Sequence, residues 1–298
     1  MFSIRAINNA DITSRSPKNY LLFAKVCLGE AVENARVRRA LSLSIARFCA
    51  TSYIVALVPL IALYVPFDPV LSLRIALCGA IACIFLTLML VLNVGLIRTE
   101  NDTPEAMLGV ANKLTIVRLV LVVPLVMLVL DGRFAIALAI YVICLLTDVF
   151  DGMVARQKRG RTEFGTIMDP VADIASTAGL FGAMMVKGLI PTWVFVILIV
   201  RYVTLFAGCA ALFISIGPLK IRATPVGKIV GVLQGVAGIM ILVLAASGLQ
   251  WQDRYGVVIF PFLGLIFGSV IISQFVIGMR HLKRGVLGAR SRGKSEGF

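Results

Sequence analysis

Histidine is almost missing from this chain. Its 298 residues contain one, His281, and that one stands in a basic stretch near the C-terminus. Imidazole-based catalysis and histidine metal ligation therefore have too little to work with. Charge is scarce as well: 15% of residues are charged, against 59% hydrophobic. A soluble globular domain carries about a quarter charged residues, so a soluble fold is excluded. The six cysteines, Cys27, Cys49, Cys78, Cys83, Cys144 and Cys209, are scattered and form no CxxC pair, which supports neither a disulfide framework nor a zinc site. Strand-like alternation of apolar and polar residues is absent too, which argues against a membrane barrel. Residues 1–42 are mixed polar and read as a lead rather than a signal peptide.

What remains is a series of long apolar runs. They fall at about 46–65, 74–97, 114–131, 134–154, 167–186, 190–213, 226–247 and 256–279. A membrane helix needs roughly 20 apolar residues, so the sequence predicts an all-α, polytopic membrane protein with about eight spans. In lipid the backbone must satisfy its own hydrogen bonds, and helices do so.

The net charge of +14 suggests a nucleic-acid partner only until the charges are located. Basic residues gather at Arg156, Lys158, Arg159 and Arg161, at Lys220, Arg222 and Lys228, and at Arg280, Lys283, Arg284, Arg290, Arg292 and Lys294. The alternate loops carry little. This is the positive-inside pattern. It places both termini and the 148–173 segment on the cytoplasmic side and accounts for the charge without nucleic acid. The stretch 24–41 predicts an amphipathic helix on the membrane surface. Residues 1–45 form the cytoplasmic lead and 46–98 the first helix pair. A polar linker from Arg98 to Asn112 sets that pair apart, and 281–298 form a basic cytoplasmic tail.

Four aspartates then stand out. From Asp148 the chain reads DVFDGMVARQKRGRTEFGTIMDPVAD, ending at Asp173. Asp148 and Asp151 are three apart, Asp169 and Asp173 four apart, and either spacing puts both side chains on one helix face. The intervening segment is short, so two antiparallel helix ends bring four carboxylates to one boundary pocket. Such acids repel one another unless hard divalent cations, which take oxygen ligands, offset the charge. Gly152 leaves room for a ligand to approach the backbone, and Gly165 allows close helix packing. Arg156 suits bidentate phosphate contact. Pro170 is compatible with a helix if it falls in the first turn.

The spaced pattern D-x2-D-G-x2-A-R-x8-G-x3-D-x3-D resembles that of the CDP-alcohol phosphotransferase family. The resemblance covers roughly 111–280 and implies a six-helix catalytic core preceded by two extra transmembrane helices. It implies an enzyme that transfers a substituted phosphate from a CDP-linked donor to an alcohol and releases CMP. Asp148, Asp151, Asp169 and Asp173 would hold two divalent ions, Mg2+ or Mn2+, with Asp173 also the general base. Gly152, Arg156 and Thr162 would bind the CDP moiety, and Ala111, Asn112, Lys113, Leu114 and Thr115 would border it. A homodimer is implied as well.

The first core helix, NKLTIVRLVLVVP, resembles the phosphatidylglycerophosphate synthase branch. That branch joins CDP-diacylglycerol to glycerol 3-phosphate. Arg118, Arg201 and Lys228 then suit an acceptor phosphate. The chain departs from the branch pattern at Ile174, Tyr202, Val230 and Gly231, and Pro124 stands one residue late. The same reaction with phosphatidylglycerol (giving cardiolipin) or with an inositol or polyol phosphate is the alternative. Membrane prenyltransferases also use Asp-rich sites, but theirs lie far apart in sequence. Ion-coupled transporters favour repeated halves, and the Asp motif has no second copy here.

Overall fold

The computed structural model describes residues 29, 31–92, 94, 110–157, 163–216, 225–248 and 251–295. Within its helices, the side chains of 110–111, 151–157, 163–167, 169, 209–216, 225–226, 228, 254 and 275–295 fall outside the description. Eight long helices follow in order: α1 Arg39–Tyr64, α2 Pro69–Leu92, α3 Val110–Leu130, α4 Phe134–Gln157, α5 Glu163–Val186, α6 Thr192–Ile216, α7 Pro225–Ala246 and α8 Trp251–Ser295. Each overlaps most of one predicted apolar run, with ends that differ by up to several residues.

Among the described residues, five of these helices are long and apolar enough to cross a membrane. Three more carry shorter apolar stretches, Phe134–Phe150, Pro170–Val186 and Thr192–Gly208. This is a polytopic membrane protein. Exposed apolar side chains such as Ile54, Phe85, Val203 and Leu265 are what lipid tails would cover; packing between the helices relies on fit rather than on water exclusion.

The contacts divide the chain into two compact units, one of residues 1–127 and 143–176 and the other of 128–142 and 177–298. In the first unit α1 packs on α2. Their turn is set by chemistry at Asp68. Its Oδ1 accepts from the Leu71 N–H at 2.9 Å, and Pro69 fills the first helical position, where the missing N–H costs nothing. Small size then matters at Gly79. A Cβ there would meet the Tyr53 hydroxyl and come within 2.5 Å of Leu57 Cδ1.

In the second unit α8 packs on both α6 and α7. Phe181 and Phe267 meet edge to face, 6.0 Å between centroids. Two chain reversals in this unit are built on glycines with positive φ, Gly132 at 79° and Gly188 at 71°. After each, the next N–H reaches back to a helical carbonyl, Arg133 to Leu128 and Leu189 to Met184, both at 2.8 Å. That arrangement closes a helix end and reverses the chain. Tyr141 lies flat on Gly238, and a Cβ on that glycine would stand 2.7 Å from the ring. Gly238→Ala should therefore cost about 1–3 kcal/mol through overpacking. Thermal unfolding in detergent would read this as a lower Tm, and an unchanged Tm would mean the ring turns aside freely.

One expectation needs correction. Pro170 is not in the first turn: α5 starts at Glu163, so the proline is interior. An interior proline removes one hydrogen bond and bends the helix. The proline stands between Asp169 and Asp173. α8 continues as helix to Ser295, through the stretch read as the basic tail. Its Leu, Lys, Arg and Ala content favours helix, which outweighs its glycines.

Candidate active site

The four aspartates, Arg118 and the residues at the start of α3 sit on the first unit, Arg201 and Lys228 on the second. Asp148 and Asp151 lie in the C-terminal half of α4, and Asp169 and Asp173 in the second and third turns of α5. The chain between these helices, 158–162, lies outside the described residues and takes Thr162 with it. So do the side chains of Ala111, Asp151, Gly152, Arg156, Asp169 and Lys228. The candidate side chains within the described residues are those of Asn112, Lys113, Leu114, Thr115, Arg118, Asp148, Asp173 and Arg201.

Arg118 and Asp148 come together. The arginine is 2% exposed on α3, and its Nη1 donates to Asp148 Oδ1 in an ion pair. The partners are unequal, the Arg118 side chain being 3% exposed and that of Asp148 52%. A guanidinium alone in an apolar bundle is costly, and a carboxylate partner offsets that cost. The contact also fixes which way the aspartate points. Asp173 is exposed as well.

At the start of α3, Asn112 and Thr115 are buried, at 3% and 1% exposed, while Lys113 is exposed and Leu114 half-buried. The Lys113 ammonium lies 5.8 Å from the centroid of the Phe48 ring, within cation–π reach. Phe48 belongs to α1, so the added helix pair touches the edge of the candidate site. Sequence reading gave α1 no such role.

In the second unit Arg201 is also buried, at 8% exposed. Its Nη1 donates to Gln234 Oε1 at 2.5 Å, and its guanidinium carbon stands 5.2 Å from the Tyr202 ring centroid. The Gln234 amide donates in turn to the Tyr202 hydroxyl at 3.3 Å. Among the described residues Arg201 has no carboxylate partner, and its buried Nε has no acceptor. Gln234 was missed in the sequence. The available signal was one amide inside an otherwise apolar α7, because a buried amide needs a hydrogen-bonded partner. Lys228 lies in the first turn of α7.

Do these residues suit divalent ions? The donor set is all oxygen, which hard cations prefer. Asp148 is pre-aimed by Arg118, and Asp173 is accessible. Among the described residues no three acidic, cysteine or histidine side chains group closely enough to hold an ion. Two of the four aspartates lie outside that description, so the donor chemistry decides, and it fits.

Fold and residues define a polytopic membrane protein with a carboxylate-rich helix pair at its candidate site. The chain belongs to the CDP-alcohol phosphatidyltransferase family, whose model matches residues 108–270. Among curated relatives it is similar to a probable phosphatidylglycerophosphate synthase of Mycobacterium tuberculosis, 35% identical over 100 residues, covering 31% of this chain and 47% of that one. It is also similar to a probable cardiolipin synthase (CMP-forming) of Drosophila melanogaster, 30% identical over 122 residues, covering 40% and 38%. A CDP-diacylglycerol--glycerol-3-phosphate 3-phosphatidyltransferase of Wigglesworthia glossinidia brevipalpis is 27% identical over 191 residues, 59% of this chain and 98% of that one. In its first two matches the chain spans about half the length of the relative.

Proposed function

We propose that this protein transfers a phosphatidyl group from CDP-diacylglycerol to an alcohol and releases CMP, with glycerol 3-phosphate as the acceptor. The observation that carries the reading is the placement of Asp148 and Asp173, both accessible, on successive helices inside the span matched by the family model. The working core is α3 to α8, with α1 and α2 as an addition and the aspartates on the cytoplasmic side. The enzyme works as a homodimer.

Asp148, Asp151, Asp169 and Asp173 would hold two divalent ions, Mg2+ or Mn2+. When bound, these screen the diphosphate charge and stabilise the departing CMP. The protein's own groups do the rest. Arg118 fixes the Asp148 carboxylate and would contact the acceptor phosphate. Gly152, Arg156 and Thr162 bind the CDP moiety, bordered by Ala111 to Thr115. Asp173 takes the proton of the acceptor hydroxyl as its oxygen bonds to the phosphatidyl phosphorus. The bond from that phosphorus to the CMP oxygen breaks, and CMP leaves with the electron pair. Arg201 and Lys228 hold the acceptor phosphate.

A second reading keeps the chemistry and changes the acceptor to phosphatidylglycerol. The similarity to the probable cardiolipin synthase favours it. An acceptor screen separates the two. Purified protein with CDP-diacylglycerol and Mn2+ would be offered glycerol 3-phosphate, phosphatidylglycerol, inositol phosphate and serine in turn. CMP release with glycerol 3-phosphate alone is the expected result. Release with phosphatidylglycerol alone would make Ile174, Tyr202 and Val230 candidates for acceptor selection. Silence with all four would sink the proposed donor and acceptor pair.

A further inference from the structure

Before α1, residues 31–37 are helical, and the chain bends at Arg38, where φ is −100° and ψ 40°. The bend is tied down from both sides. Arg38 Nη1 donates to the Val94 carbonyl at 3.2 Å, just past the end of α2, and Ser42 Oγ donates to the Ala35 carbonyl at 3.1 Å. The short helix is thus held against the end of α2, and a cleft of about 540 Å3 opens between them, lined by Val32, Ala35, Arg36, Arg39, Val91 and Leu92.

The lining has two kinds of chemistry. Arg36 and Arg39 bring two positive charges, and both are exposed. Among the described residues neither makes an ion pair, although Glu33 stands on the same short helix. Val32, Val91, Leu92 and Ala35 supply an apolar wall. The cleft lies at the end of α1 from which that helix enters its apolar run. Phe48, further along the same helix, carries Lys113 of the candidate site on its ring.

We propose that this cleft is a binding site for an anionic phospholipid, separate from the candidate active site. The headgroup phosphate meets the Arg36 and Arg39 guanidinium groups, which match a phosphate's oxygens in pairs. An acyl chain lies along Val32, Val91 and Leu92. A free phosphate would use the arginines but gain nothing from the wall. A zwitterionic lipid would use the wall but bring a cation of its own toward the arginines. Only an anionic amphiphile uses both. Charge and apolar surface side by side at a membrane boundary are the usual terms of such recognition.

The test uses the full chain in detergent and phosphatidic acid bearing a photoactivatable acyl chain, with labelled peptides mapped by mass spectrometry. Phosphatidic acid should label the 32–39 and 91–92 peptides, and phosphatidylcholine with the same acyl chain should label them far less. Arg36→Gln with Arg39→Gln should lower the labelling about thirtyfold, the effect of losing two interfacial cations. Both side chains are exposed, so folding should survive; unlabelled phosphatidic acid competing on the unchanged protein gives an independent check and should remove the label. Equal labelling by phosphatidylcholine would overturn the proposal, as would labelling retained in the double variant or confined to the 110–173 peptides. Displacement by inorganic phosphate alone would make the occupant a free anion and overturn it as well.

Discussion

Asp173→Asn should abolish most turnover while leaving donor binding nearly intact. The substitution keeps the size of the side chain and two polar atoms but removes the capacity to accept a proton. A positioned general base contributes roughly 10²- to 10⁴-fold to rate, so kcat should fall within that range. CDP-diacylglycerol binding, measured separately with Mn2+ present, should weaken only a few-fold because three other carboxylates remain. The geometry permits this role: Asp173 is exposed, one helical turn after Asp169, and Pro170 lies between them. Steady-state kinetics and equilibrium donor binding decide the matter together. If donor affinity falls as far as turnover, Asp173 acts chiefly as a metal ligand, and the proton must go elsewhere.

Asp148 is engaged by the buried Arg118 on another helix, thirty positions earlier, an ion pair that the motif spacing does not signal.

The sequence made the eight helices legible because each is a long apolar run, and in lipid a long apolar run has few other ways to fold. The aspartate pairs were legible because three- and four-residue spacings are local and a helix converts them directly into a shared face. Contacts between helices were not legible. The pairing of Arg118 with Asp148, the seating of Lys113 on Phe48 and the Gln234 partner of Arg201 each join different helices. Helices apolar on nearly every side give little sign of which face meets which. Pro170 misled for a related reason. The expected start at 167 followed the apolar run, whereas the helix begins at Glu163, in polar sequence, and this moves the proline to the interior. The bend at Arg38 escaped notice because a turn of ordinary helix formers has no glycine or proline to mark it.

Arg201→Ala should raise the acceptor KM by about thirtyfold or more, with a smaller change in kcat. The expectation rests on the buried group's surroundings. Taking a guanidinium out of water costs several kcal/mol unless it is compensated, and a site within membrane helices makes the cost worse. Here the visible partners are a neutral amide and an aromatic ring, at 2.5 Å and 5.2 Å. They orient the charge without cancelling it. Tyr202 follows Arg201 in sequence; an acid there would neutralise the arginine internally. With tyrosine in its place, the positive charge stays available to an anion from outside the chain, which a phosphorylated acceptor supplies. Removing one member of a desolvated charge pair typically costs 2–5 kcal/mol, hence the size of the predicted change. Gln234→Leu is the informative companion: it keeps the charge and loosens its aim, so KM should rise only a few-fold. Tyr202→Asp should raise KM too, by supplying the missing carboxylate and competing with the substrate. An Arg201→Ala protein with unchanged acceptor KM and a lowered Tm would show that the arginine only holds α6 to α7, and the phosphorylated acceptor would lose its main support.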